Sequence, residues 1–198
     1  MRNGVVFKNS NAAFMGCCFD VNLATTADPV WRLWDFLLNG WFGPISCRIS
    51  DERMDLASDD ERELLLLENR FIEGRTSAYE PCELRERPIF RVLCKSPTLD
   101  TSDGWGEVRT RLIRCLPHSN PVSTRMYGAV AIGLTVELYE WDGSDSNNAR
   151  PRILHQGAIN LAKPKDRHTL DKLLDEIEEK MKENPEWGQY PFRRPAAN

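Results

Sequence analysis

Residues 107–116, EVRTRLIRCL, alternate in character along the chain. Val108, Thr110 and Leu112 fall on one side of an extended backbone, and Arg109, Arg111 and Ile113 on the other. A period of two is the pattern of a half-buried strand, so this stretch predicts a strand whose neighbours are also strands. The segment after it agrees. YGAVAIGLTVELYEW (127–141) reads as the longest strand, with Val130, Ile132, Leu134, Val136 and Leu138 on one face. Asp142-Gly143 opens a turn, and RILHQGAINLA (152–162) returns beside its predecessor, which at this separation favours antiparallel pairing.

Toward the C-terminus the period changes. Leu170, Leu173, Leu174, Ile177 and Met181 form one stripe from about Asp166 to Lys182, with Asp171, Asp175, Glu176, Glu178 and Glu179 opposite, so an amphipathic helix closes the domain. Pro185 ends it, and residues 185–198 read as an extended aromatic and proline-rich arm carrying Trp187, Tyr190 and Phe192. Residues 1–184 are expected to be one α+β domain.

Toward the N-terminus, RPIFRVLCK (87–95) reads as a strand, and SPTLDTSDGWG (96–106) is turn chemistry. LLLLENRFI (64–72) is open between helix and strand, and ISCRI (45–49) has the make-up of a short strand. The acidic run over 51–63 reads as a solvated loop or frayed helix. DPVWRLWDFLLNGWFGP (28–44) predicts a helix, with Asp28 as cap, Pro29 at the first position and Val30, Leu33, Trp34, Leu37, Leu38 and Trp41 at helical spacing. MGCCFDVNLA (15–24) alternates like a strand. The expected fold is α+β, an antiparallel sheet with two amphipathic helices packed on one face.

Composition bounds the function. The 198 residues are 41% hydrophobic and 28% charged with a net charge of −4, which fits an ordinary globular domain rather than a nucleic-acid binder. No apolar run reaches membrane-span length and no signal peptide is legible, so a cytoplasmic, reducing setting is expected. Cys17, Cys18, Cys47, Cys82, Cys94 and Cys115 are scattered as reduced core cysteines are.

Catalytic constellations are not legible. There is no phosphate-cradling glycine loop, no nucleophile elbow and no CxxC pair. His118, His155 and His168 read as surface or structural residues, and the acidic run lacks the ligand spacing of a calcium loop. No catalytic residue, cofactor or metal is therefore expected.

Two features point to contact surfaces. Arg85, Arg87, Arg91 and Lys95 bracket one stretch and Arg109, Arg111, Arg114 and Arg125 another, so adjacency would make them one basic patch; the plainer reading pairs them with nearby glutamates. Trp34 and Trp41 fit a core helix, whereas Trp31, Phe36 and Phe42 widen it beyond one packing face. Together with the aromatic arm they favour a non-enzymatic, self-assembling interaction protein. The alternative is a small-molecule binder or small enzyme with an apolar pocket in a curved sheet, lined by Trp34, Trp41 and Tyr139 with Asp142 or His155 as polar anchor. A third reading is a regulator binding other proteins through its acidic run.

The order CCFDVNLA, a tryptophan-bearing helix, RPIFRVL, MYGAVAIGLTVELYEWDGSDS and a closing amphipathic helix resembles the core of rhabdovirus matrix proteins. That resemblance implies a viral structural protein that forms homo-oligomers, coats a nucleocapsid and touches a membrane peripherally, with no sequence-specific nucleic-acid binding and no catalytic residues. The chain departs from that family in its sparsely charged start and in having no PPxY motif.

Overall fold

A computed structural model describes residues 12–42, 47–50, 61–72, 83–118, 125–142 and 151–183. Among the described residues, four α-helices and seven strands follow in the order α1 (Ala12–Asn22), α2 (Asp28–Phe42), β1 (Cys47–Ser50), β2 (Glu61–Ile72), β3 (Glu83–Lys95), α3 (Ser102–His118), β4 (Arg125–Ile132), β5 (Thr135–Asp142), β6 (Arg152–Ile153), β7 (Ile159–Asn160) and α4 (Pro164–Glu183), with a 3-10 turn at Pro97–Leu99 before α3. The strands make one sheet in the order β1-β2-β3-β4-β5-β6, with β7 also paired to β5. The fold is α+β. Every strand pair is antiparallel except β3 with β4, which run parallel from Phe90↔Tyr127 to Lys95↔Ile132.

That parallel pair corrects the expectation for residues 107–116. Parallel neighbours need a long crossover, usually helical, and EVRTRLIRCL supplies it as the body of α3. Trp105, Val108, Leu112 and Leu116 are buried at helical spacing, while Thr110 and Ile113 are exposed. Alternation within residues 107–116 coincided with a helical stripe that starts before them, at Trp105, and runs to the last of them, Leu116. The start of α3 is fixed locally. Thr101 Oγ1 accepts from Gly104 N at 3.1 Å, and Trp105 N donates to Thr101 O at 3.0 Å, so Thr101 caps the helix. A Cβ on Gly104 would lie 2.2 Å from Leu99 O, which leaves room for glycine alone.

MGCCFDVNLA is also helical, forming most of α1. Phe14, Cys18 and Val21 are buried in the neighbouring core and Cys17 packs against it partly buried, while Met15 and Phe19 are exposed. With apolar residues on all sides, the stretch carried no period that could separate strand from helix. YGAVAIGLTVELYEW is two strands, not one. Gly133, at φ +58°, turns the chain between β4 and β5, so Val130 and Ile132 face α3 while Val136 and Leu138 face the opposite side.

Several expectations hold. α2 buries the six residues its spacing selects, and β6 and β7 return antiparallel on β5. LLLLENRFI resolves as strand within β2, whose start takes in residues 61–63 of the acidic run; residues 51–60 lie outside the described residues. Asp28 stands in the first turn of α2, where its carboxylate takes Arg62 Nε of β2 at 2.6 Å.

The sheet separates two cores. Phe90, Val92 and Cys94 of β3, Tyr127, Ala129 and Ala131 of β4, and Val136 and Leu138 of β5 face α1, α2 and α4. The two helices expected from the sequence, α2 and α4, do share this face, and α1 joins them. Leu93, Met126, Val130, Ile132, Tyr139 and Trp141 face α3. α3 passes tightly over Gly128, where a Cβ would come 3.0 Å from Leu112 and 3.1 Å from Leu116. Among the described residues, no helix is long and apolar enough to cross a membrane.

Candidate interaction surface

α1 is the element whose side chains the fold does not use up. Its inner side packs Phe14, Cys18 and Val21 into the core, and buried Arg167 of α4 lies over the Phe14 ring, 5.6 Å from its centroid. Its outer side leaves Met15 49% and Phe19 63% exposed, Met15 keeping its Sδ as acceptor for Arg167 Nη1 at 4.0 Å, and Leu23, one residue past the helix end, is 69% exposed. These three stand four residues apart, so they line up along one edge of the helix. Single exposed apolar residues are common, but a contiguous row of large ones marks a contact site.

The charged residues, in contrast, are largely satisfied inside the molecule. α3 packs on the side of the sheet that holds Lys95 of β3, so part of the expected basic patch does come together. Its cations meet carboxylates there. Arg91 Nε reaches Glu63 at 2.8 Å with both side chains buried, and Lys95 Nζ reaches Glu107 at 3.2 Å. Arg109 grips Glu137 through two bonds of 2.7 and 2.6 Å, stacks on Trp105 and shares Glu137 with the Tyr139 hydroxyl, which donates at 2.7 Å. Burial pushes the Glu137 carboxyl up, but the bonds from Arg109 and Tyr139 outweigh it and hold the group below the ordinary range. Arg125 stands 3.8 Å from Asp142 at the strand end. Arg114 is exposed and Arg111 half-buried; the side chains of Arg85 and Arg87 lie outside the described residues.

On the opposite face Glu140 gathers a second network. Arg152 pairs with it from β6, Lys180 Nζ of α4 stands 3.6 Å away and Tyr127 Oη donates at 3.4 Å. Beside it a depression of about 270 Å³ opens between β6 and α4, lined by Arg152, Leu154, Leu173, Glu176, Ile177 and Lys180. Among the described residues no group of three or more histidine, cysteine or acidic side chains converges as a metal site would require.

No family model, curated protein or solved structure matches this chain. The reading of its surface therefore rests on its own residues. Of the aromatic side chains expected to reach outward, Trp31, Phe36 and Phe42 are partly buried and packed against the main core, Phe42 lying 6.3 Å from Phe90. The extra breadth of α2 is covered because α1 packs on it, an arrangement that a strand at 15–24 could not supply. Trp187, Tyr190 and Phe192 lie outside the described residues. The residues suggested for an apolar pocket are not brought together. Trp34 and Trp41 belong to the core under α1, α2 and α4, Tyr139 faces α3 across the sheet, Asp142 ends β5, and His155 sits in the loop after β6 with Nδ1 3.1 Å from Gly157 O.

The exposed row on α1 was missed because the segment was read as a strand. A helical reading places Met15, Phe19 and Leu23 together by spacing alone.

One acidic pair on α4 gives a pH-dependent expectation. Asp171 and Asp175 are one turn apart, Asp175 accepts from Trp41 Nε1 at 3.3 Å, and burial followed by the charge of Asp175 pushes Asp171 up to about 6. The unfolded chain releases that proton at roughly pH 4. A raised folded-state value means the fold holds the proton more tightly, so this contribution is present at low pH and is lost as pH rises from about 4 through about 6. Asp171→Asn should therefore raise stability at pH 7.5 by about 1 kcal/mol, allowing for solvent screening of a half-buried group, and change little at pH 4. Urea denaturation of both proteins at the two pH values measures it. A gain that is equal at both would mean that the charge of Asp171 is not its source.

Proposed function

We propose that this protein is a non-enzymatic assembly module that works by presenting apolar helix surface to a protein partner. The observation that carries this reading is the outer side of α1, where Met15, Phe19 and Leu23 are exposed in one row while the inner side of the same helix is packed. Burying such a row removes apolar surface from water, the main driving force of protein association. The charged side chains contribute less to partner binding, because Glu63, Arg91, Lys95, Glu137 and Glu140 are engaged within the fold. The resemblance to rhabdovirus matrix proteins begins from a strand at residues 15–24; that segment is helical, so the pattern adds nothing to the reading.

Sedimentation velocity of the full chain over a hundredfold range of concentration tests the proposal. A sedimentation coefficient that rises with concentration and levels off is expected for a self-associating module. A constant value at the monomer position would count against self-association, the form of assembly proposed.

A further inference from the structure

We propose that α1 pairs with α1 of a second copy of this chain, the apolar ridge of each helix seated in the furrow of the other. The inference rests on the assembly reading above and supplies its partner and contact.

The outer surface of α1 is built as two neighbouring rows with a spacing of four residues. Met15, Phe19 and Leu23 form a ridge, and Ala12, Gly16 and Asp20, all exposed, form a lower row beside it. Glycine inside a helix costs about 1 kcal/mol relative to alanine. The fold does not require it at position 16, because a Cβ there would meet nothing within 4 Å. What Gly16 supplies is room on the outside of the helix. Rows of this spacing interdigitate when two helices cross at about −50°, the commonest packing of helix on helix.

A twofold contact presents the same patch from both sides, so the patch must complement itself. In shape it does, since the Phe19 knob stands three residues from the Gly16 notch. In charge it does as well. Asp20 belongs to the furrow row, and Arg32 lies on α2, the helix that packs beside α1; both charges act on Cys17, whose thiol is raised by burial and then by Asp20 and lowered by Arg32. Both residues are exposed, and neither has an ion pair among the described residues. In the pair, Asp20 of one copy can meet Arg32 of the other at the rim. An anionic lipid surface suits this patch less well, given Asp20 in the furrow and a net charge of −4.

The three ridge side chains expose roughly 300 Å² of apolar surface, the lower end of what a functional patch on a monomer shows. A stable interface takes about 800 Å² from each partner. The ridge is thus the centre of a modest contact, which the side chains around it on α1 and α2 must widen, and a weak, concentration-dependent dimer is expected.

Sedimentation of the full chain with substitutions tests this directly. Phe19→Ser removes the knob and Gly16→Leu fills the notch, and each should raise the dimer dissociation constant at least tenfold while leaving the urea midpoint of the monomer near that of the parent. Asp20→Arg and Arg32→Asp chains should each dimerise less well alone and recover on mixing, because opposite charges then face each other. An unchanged dimer in Phe19→Ser and Gly16→Leu would overturn the α1 contact and leave the assembly reading standing. Charge variants that do not recover on mixing would overturn the Asp20 to Arg32 pairing. A parent chain that stays monomeric overturns both, and its co-sedimentation with phosphatidylcholine vesicles would assign the ridge to lipid.

Discussion

Trp34→Ala should cost about 3–5 kcal/mol of folding stability, since it deletes the largest kind of side chain from a fully packed site. Trp34 is completely buried in the core that joins α1, α2 and α4 to the sheet. Domains are typically stable by only 5–15 kcal/mol, so this one change should bring the midpoint of urea unfolding down by a large fraction of its value. Among the described residues Trp34 Nε1 has no hydrogen-bond partner, so its contribution is volume and apolar area. Trp34→Phe should accordingly cost much less than Trp34→Ala. Phe36→Ala, at a position only partly buried, should also cost less. Equal losses at positions 34 and 36 would mean that α2 does not face the core as described.

Arg91→Ala is the second large effect. It removes the guanidinium that meets the buried carboxylate of Glu63 at 2.8 Å. Breaking a buried ion pair from one side typically costs 3–5 kcal/mol, because the remaining charge is left in a poor solvent, whereas replacing both partners by apolar groups is often neutral. The double variant Glu63→Leu with Arg91→Met should therefore recover most of what Arg91→Ala loses. Chemical denaturation of the three proteins measures the difference. If the double variant is as unstable as the single one, the pair is needed for more than mutual neutralisation.

The helices with strong amphipathic stripes were legible from the sequence. In α2 and α4 the apolar residues recur at 3.6-residue spacing against charged neighbours, and the buried residues of α2 are those its spacing selects. β3 was legible because RPIFRVLCK is short, branched and bounded by turn chemistry. α3 and α1 were not, for two different reasons. In α3 the arginines at 109 and 111 fell so that residues 108–113 alternate, and only Trp105 and Leu116, outside or at the edge of the window 107–116, reveal the helical stripe. In α1 almost every residue is apolar or small, so no period exists to read. Its apolar residues serve two surfaces at once, the core and the outside.

Pairing of the basic residues was legible in kind but not in partner. Glutamates were expected to meet arginines, yet that Glu137 answers Arg109 depends on α3 crossing between the parallel strands β3 and β4, and that Glu63 answers Arg91 depends on the antiparallel register of β2 and β3. A reading that made residues 107–116 a strand could not place the first of those carboxylates. A separate strand reading, of residues 15–24, hid the candidate surface, since Met15, Phe19 and Leu23 lie on one side of either a strand or a helix, but only the helix adds the furrow of Ala12, Gly16 and Asp20 beside them.

The measurement that bears most directly on the central claim is the mass of the full chain in solution by light scattering, across concentration and at low and moderate salt. Self-association through an apolar ridge predicts a mass that climbs from 22.7 kDa toward twice that value and persists when salt is raised, because screening weakens only the rim charges. A mass that stays at 22.7 kDa at every concentration would contradict it.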